Sequence, residues 1–559
     1  MNTRTHINTR AHLNPRACLA AIGAALFLVG CTVGPDYHRP PAPDVPDWKD
    51  AAAHGGIESQ RDTGTQVGIV TPGGIVSQQS DPDPKWWLSF NDPVLSALID
   101  RGIAGNLDVQ QAVLRVVEAR QGIVAARAAG LPTLSATGSY QRELLGARGI
   151  LESQGVYRDL NTLADRLSPY NATVPGLSQS VVSGGTQALK QITAPVSLYQ
   201  YGLDASWELD LFGRVRRSVE QARARAQAQS AALDDALVVL ESEIVQAYIQ
   251  LRGAQALKAS QEKNIQAATE EFELTQRRQQ NGLTTELDVD QARTQLDEAR
   301  RQLPTYDKQL QQAMNTLSVL VGENPGAVDE QLRTVEPLPQ IPSIVGVSVP
   351  STLARRRPDI REAEASLHAA TAGVGVAVAS FYPSISLTGN VGLRATDASY
   401  LTNWASHFYS AGPSISVPIF SGGQLSSNLT LARAQQQEAA LNYRGTVLNA
   451  LREVEDALVA YRTDRASRDL LQDTLNSAQL TWTLAESQYK NGLASFIQVL
   501  DAERTVLSER QALVQADVQI VNDIVTLYRA LGGGWEQVGP NYRNEMVCPP
   551  STAIVCPLM

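Results

Sequence analysis

Cysteine and histidine offer the most chemistry in this chain, and their placement restricts it quickly. Cys18 lies within an apolar run over residues 17–29, Cys31 closes that run, and Cys548 and Cys556 sit in a proline-bounded tail. The six histidines, His6, His12, His38, His54, His368 and His407, form no metal-ligand spacing with one another or with a cysteine. No glycine-rich phosphate loop is present, and no Ser or Cys stands in a nucleophile motif beside a usable base. These residues argue against an enzyme and call for no cofactor. Two thiol chemistries remain: a cysteine at the end of an apolar leader, and a tail pair that is either a local disulfide of an exported chain or two free thiols.

Arg4, Arg10 and Arg16 precede the apolar run, which is too short to span a bilayer as a stable helix, so residues 1–30 read as a secretory signal peptide. The end of the run, Leu28-Val29-Gly30-Cys31, resembles the bacterial lipobox. That resemblance implies acylation of Cys31 as the first mature residue, and Thr32 after it points to the outer membrane. Acyl chains contribute about 0.8 kcal/mol per buried methylene, so outer-membrane lipid is the first expected partner. The net charge of −10, from 57 acidic and 47 basic residues, and the lack of a Lys/Arg stripe leave no case for nucleic acid.

Beyond the leader the chain is organised by repetition. Over 424–531 two helical arms meet at Asn491-Gly492-Leu493. After that turn Ile497, Leu500, Arg504, Leu507, Gln511, Val514, Val518, Val521, Val525 and Tyr528 alternate at spacings of three and four, a heptad seam. The stretch Gln280-Asn281-Gly282-Leu283 repeats Lys490-Asn491-Gly492-Leu493, so the chain holds two such hairpins. Ahead of each hairpin the period changes to two. Leu134, Ala136, Gly138 and Tyr140 alternate with polar residues, as do Tyr201, Leu203, Ala205 and Trp207, then Ile385, Leu387, Gly389 and Val391, then Ile415, Val417 and Ile419. Four strands of this length suit a membrane barrel or the half-buried sheet of a soluble domain, and periodicity does not separate the two.

The order helix, strand, strand, long helix, turn, helix thus occurs twice. The expected boundaries are a lipid-anchored arm with a flexible insert at 31–92, a first repeat at 93–326, a linker and equatorial region at 327–357, a second repeat at 358–533 and a tail at 534–559. The first repeat carries an insertion at 141–193 between its strands. A helix from Arg214 to Asn281 would be ~100 Å long. Pro304 is expected to kink or break the return arm of the first hairpin. Trp86 and Trp87 read as packing anchors rather than a ligand cage.

The runs Cys31-Thr32-Val33-Gly34-Pro35-Asp36-Tyr37, Trp86-Trp87, Arg355-Arg356-Arg357-Pro358-Asp359-Ile360-Arg361 and Phe381-Tyr382-Pro383-Ser384-Ile385 resemble those of the outer-membrane-factor lipoproteins, the TolC and OprM relatives. The resemblance covers nearly the whole mature chain. It implies an α+β membrane protein: a homotrimer whose chains each give four strands to one twelve-stranded barrel, continued by a periplasmic coiled-coil tunnel. Four strands alone leave open edges that lipid does not tolerate, which agrees with the trimer.

By the same resemblance the stretch 497–504 carries a periplasmic gate: Ile497 an apolar ring, Asp501 an acidic ring and Arg504 its partner, with Gln498 where TolC relatives have a second aspartate. It further implies a latch between Asp288 and the neighbouring turn near Tyr489. The function implied is a passive outer-membrane exit duct for small molecules, working with a periplasmic adaptor protein and an inner-membrane transporter of the resistance-nodulation-division (RND) type. A type I protein secretion channel is the alternative within transport. A lipid-anchored surface coiled coil or adhesin is the alternative outside it, although that would not need four alternating strands placed before the hairpins.

Overall fold

The computed structural model describes residues 32–41, 48, 69–70, 76–77, 83–144, 146–339, 353 and 355–537. Cys31, Cys548, Cys556 and the leader lie outside them. The chain packs as two compact units. One holds the strands and combines residues 32–34 with Ala125–Ser218 and Gly375–Ser427; the other holds the helical hairpins.

In the strand unit, β1 (Thr133–Glu143), β2 (Val196–Leu209), β3 (Ser384–Ala395) and β4 (His407–Ser416) form one antiparallel sheet in chain order. The repeats meet at β2–β3, where Leu203 faces Val391 and Trp207 faces Leu387. Register places apolar residues of all four strands on one face: Leu134 opposite Ala205, Val391 opposite Tyr409, Ile385 opposite Ile415. That face is bare in the single chain, with Leu134 71% and Tyr409 78% exposed. The other face is polar, with the Thr137 hydroxyl donating to Asp204 at 2.6 Å and Arg394 donating to Gln200 at 2.9 Å. An apolar outer face over strands of 10 to 14 residues matches the height of a bilayer core. β1 and β4 each keep one unpaired edge. The strand expected to reach Ile419 stops at Ser416, because Pro418 donates no ladder hydrogen bond.

The insertion between β1 and β2 is helical, with α3 (Ala147–Ser153), α4 (Val156–Leu167) and α5 (Leu177–Thr193). Leu160 of α4 packs against Gly185 of α5, where an added Cβ would lie 2.6 Å from the leucine side chain. These helices are amphipathic, and most of their residues are exposed in the single chain.

In the helical unit, α1 (Pro93–Gly105) and α2 (Leu107–Ala128) are capped by Asp92 and Asn106, whose side chains accept backbone N–H groups of the first turns. The break between them follows from a close approach: a Cβ at Gly322 would lie 2.1 Å from the Gly105 carbonyl oxygen. Trp86, Trp87 and Phe90 are buried in the main core, with Trp86 stacked on Tyr528 at 5.0 Å, as packing anchors should be.

The hairpins are α6 (Arg214–Gln280) with α7 (Glu286–Leu320), and α9 (Gln424–Lys490) with α10 (Phe496–Ala530); α8 (Pro358–Ala379) precedes the second strand pair. The long arms have 67 residues each and the return arms 35 each. At 1.5 Å per residue the long arms run about 100 Å. From Phe212 to Gly282 the first repeat is two residues shorter than the second from Phe420 to Gly492, and the difference falls in the strand-to-helix turn, Gly213 against Ser421-Gly422-Gly423, and not in the helices. α7 runs through Pro304 without ending. Pro304 lies on the exposed side, where water can satisfy the carbonyl that its missing N–H abandons.

The run Arg355-Arg356-Arg357-Pro358-Asp359-Ile360-Arg361 fastens the base of the second hairpin. Arg357 reaches Asp359, Glu453 and the Ala530 carbonyl; Arg356 pairs with Glu536 at 2.8 Å; Arg361 pairs with buried Asp234 at 2.9 Å and lies over the Trp535 ring. Buried charges of this kind are tolerable only when each is paired, so the motif is structural.

Candidate functional site

The residues read as a gate sit where the hairpins turn. Both turns use the same device: Gly282 and Gly492 take φ of 70° and 75°, which lets the N–H of Leu283 reach the Arg278 carbonyl and that of Leu493 the Gln488 carbonyl. Asn281 and Asn491 each donate from the side chain to the carbonyl four residues back, at 2.8 Å. The return helices then start on caps. Thr285 and Asp288 form a capping box, and the Ser495 N–H donates to Gln498 Oε1 at 3.2 Å. Gln498, the departure from the two-aspartate pattern, therefore serves the cap.

Between the hairpins lies an apolar cluster to which all four arms contribute: Phe272, Ala292, Trp482 and Tyr489, and Phe496 with Val499 and Leu500. The Arg278 guanidinium lies over the Tyr489 ring at 4.6 Å, and Tyr489 packs on Phe496 at 5.4 Å. Ile497 is 44% exposed and Asp501 is exposed, so both face away from this cluster.

Arg504, the expected partner of Asp501, turns within one chain to the first hairpin instead. Its Nε donates to Gln295 Oε1 at 3.2 Å and an Nη stands 3.9 Å from Glu298. Asp288 and Tyr489 are not brought together within one chain. The Asp288 carboxylate accepts from the Thr284 hydroxyl and from both the N–H and the hydroxyl of Thr285. Partial burial raises its pKa, but these three hydrogen bonds outweigh it and hold the group below the usual carboxylate range. The Tyr489 hydroxyl is buried without a hydrogen-bond partner.

Sequence reasoning misses two acidic residues of this site. Glu503 of α10 is only 5% exposed, and its Oε2 has no hydrogen-bond partner. Glu271 of α6 faces it across the hairpins, with Glu486 of α9 nearby. Burial first, then repulsion from Glu503 and Glu486, raises the Glu271 pKa to about 8; burial likewise raises that of Glu503, against the pull of Arg504. A signal does exist. Val499, Glu503 and Val506 follow helical spacing and are all buried, one position off the seam drawn through Ile497 and Arg504.

In the strand unit, Thr32, Val33 and Gly34 are pinned in place. The Val33 N–H donates to the Phe212 carbonyl at 3.2 Å, Arg217 donates to the Val33 carbonyl at 3.3 Å, and a Cβ at Gly34 would lie 2.6 Å from Gly375 Cα.

A sequence profile described as outer membrane efflux protein matches residues 98–323 and 349–533, both repeats and both hairpins. The chain belongs to this family. The outer membrane efflux proteins similar to it include the probable efflux pump outer membrane protein TtgC of Pseudomonas putida, 31% identical over 529 residues and covering 94% of this chain and 97% of that one. Outer membrane protein OprJ of Pseudomonas aeruginosa is 31% identical over 523 residues, covering 93% and 96%. Among solved structures, the outer-membrane channel OprN superposes with a TM-score of 0.73 at 31% identity, over 90% of this chain and all of that one. CusC, whose structures describe transmembrane channel formation, superposes at 0.67 with 28% identity over 90% and 100%. The chain therefore has the outer-membrane channel fold, and as an efflux protein of the outer membrane it is a duct component.

Proposed function

We propose that three copies close one twelve-stranded barrel and one helical tunnel, forming the passive exit duct of a tripartite pump that moves small molecules out of the cell. The observation that carries this reading is the four-stranded sheet with two unpaired edges and an exposed apolar face. Such a sheet is viable in lipid only when other copies cap its edges. Hairpins of identical arm length favour a tunnel with pseudo-sixfold walls. Its partners are a periplasmic adaptor and an RND transporter of the inner membrane, the two components such a duct needs to meet a source of free energy. Relatives named for efflux of antibiotics, toluene and cations make small solutes the cargo class.

In this reading acylated Cys31 anchors the arm to the membrane's inner leaflet. Ile497 and Asp501, exposed near the turns, converge as rings on the trimer axis. Arg504 holds the second hairpin against the first. Asp288 and Tyr489 form their latch between neighbouring chains and not within one.

The experiment is assembly and conduction together. Detergent-purified protein is expected as a trimer that inserts into planar bilayers with low resting conductance. A monodisperse monomer that stays soluble without detergent would sink the barrel.

A further inference from the structure

We propose that Glu271 and Glu503 form a proton-sharing clamp between the two hairpins, closed while one carboxyl carries a proton and released when both are ionised. The proposal rests on the hairpin tips being the gate.

The geometry requires a proton. Glu503 is buried on the face of α10 that also buries Val499 and Val506, and the Glu271 carboxyl interacts with it across the hairpins. Two carboxylates hold no donor between them, so a hydrogen bond exists only when one is protonated. The charges around the pair say which. On α10, Arg504 lies beside Glu503 and favours its ionised form, while its guanidinium also engages Gln295 and Glu298 of α7. On α9, Glu486 adds negative potential, itself paired with Lys490. On α6, Arg278 is engaged with the Tyr489 ring. The proton therefore rests on Glu271, whose O–H donates to Glu503.

The clamp sits at a depth where it can matter. Glu271 lies about 14 Å before the end of α6 and Glu503 about 10 Å into α10, close to Asp501. It joins the long arm of one hairpin to the return arm of the other, so hairpins that separate must break it. A second acid pair provides a contrast: Asp464 and Asp523 lie within the second hairpin alone, so their titration alters the stability of that hairpin and not its attachment to the first.

The sign follows from the raised pKa. The closed contact holds Glu271 protonated up to about pH 8, whereas separated hairpins return it toward the ordinary carboxyl value of 4.5. The clamp is thus fully present below the lower value and is lost as pH rises through the upper one. Acid holds the tips together; alkali loosens them.

Two readouts on the full-length trimer test this. Between about pH 6 and about pH 9 the infrared spectrum should contain a carboxylic-acid carbonyl component that titrates near pH 8, apart from that of Asp523 near pH 6, and Glu271→Gln should remove it. Resting conductance in planar bilayers should rise at least about tenfold over the same interval, the factor for one unit of linkage. Glu271→Gln, whose amide donates at every pH, should conduct at the low level throughout; Glu503→Gln repeats the test should the first variant fail to assemble. A component titrating near pH 8 that survives in both variants, or none in the parent, overturns the clamp and leaves the gate reading standing. A band that behaves as expected beside a conductance flat in pH also overturns it, since the shared proton would then not govern opening.

Discussion

Replacing Arg504 by alanine should open the resting channel, and by how much tells whether the three subunits move together. Per chain the change removes one charge-assisted hydrogen bond, Nε to Gln295 at 3.2 Å, and a longer approach to Glu298 at 3.9 Å. Both partners of the second contact are about half exposed, with side-chain exposures of 49% and 51%, so solvent screening reduces it to a few tenths of a kcal/mol. The hydrogen bond contributes about 0.5–1 kcal/mol net. Each hairpin pair therefore loses about 1 kcal/mol, a factor of about 5 in its opening equilibrium. If the subunits open independently, resting conductance should rise about fivefold; if all three must open at once the terms add to about 3 kcal/mol and the rise is about 100-fold. Planar-bilayer recording of the purified trimer measures it. Gln295→Ala should reproduce most of the effect, and the double variant should add little beyond either single one, because both changes cut the same bond. Glu298→Ala should change conductance less than twofold, and less still in high salt. An Arg504→Ala channel indistinguishable from the parent, still trimeric, would refute the view that this contact holds the hairpins.

Burial, and then repulsion from Asp464, raises the Asp523 pKa to about 6 against the hydrogen bond from Gln519, so the pair stabilises the folded hairpin at low pH and loses that contribution as pH rises through about 6. Asp523→Asn should therefore raise the apparent melting temperature at about pH 7, by the equivalent of about 1–3 kcal/mol, and give no gain at about pH 4. Cys31→Ser should abolish fatty-acid labelling while leaving trimers detectable; label retained in that variant removes the anchor. The helical insertion joins β1 and β2 at the ends opposite those that lead to α2 and α6, so protease added to intact cells should cut within residues 146–193. Protection until the outer membrane is broken would invert the topology.

Much of this architecture is legible in the sequence because it repeats. A period of two marks strands and a spacing of three and four marks helices whatever surrounds them, and the Asn-Gly-Leu turns can be read from side-chain chemistry alone. The hairpins, the four strands and their order follow from those local rules. So does the packing role of Trp86 and Trp87, since aromatic residues beside a helix start are usually core. Pro304 does not break its helix, for a physical reason: its cost is local, but the packing of a 35-residue helix along its partner is not, and the sum keeps α7 continuous.

Tertiary structure alone decided which charges meet. Two repeats that are separate in sequence share one sheet through β2 and β3, so packing groups like elements and not neighbours in the chain. Asp501 and Arg504 lie three residues apart, which suggests a pair, yet a side chain on a helix surface chooses among all groups within reach, and Gln295 of the other hairpin is closer to what Arg504 can use. Glu271 and Glu503 are far apart in the chain and ordinary as residues. Only the docking of one hairpin on the other removes water from both, and that loss of solvent turns two unremarkable carboxyls into a pair that shares a proton.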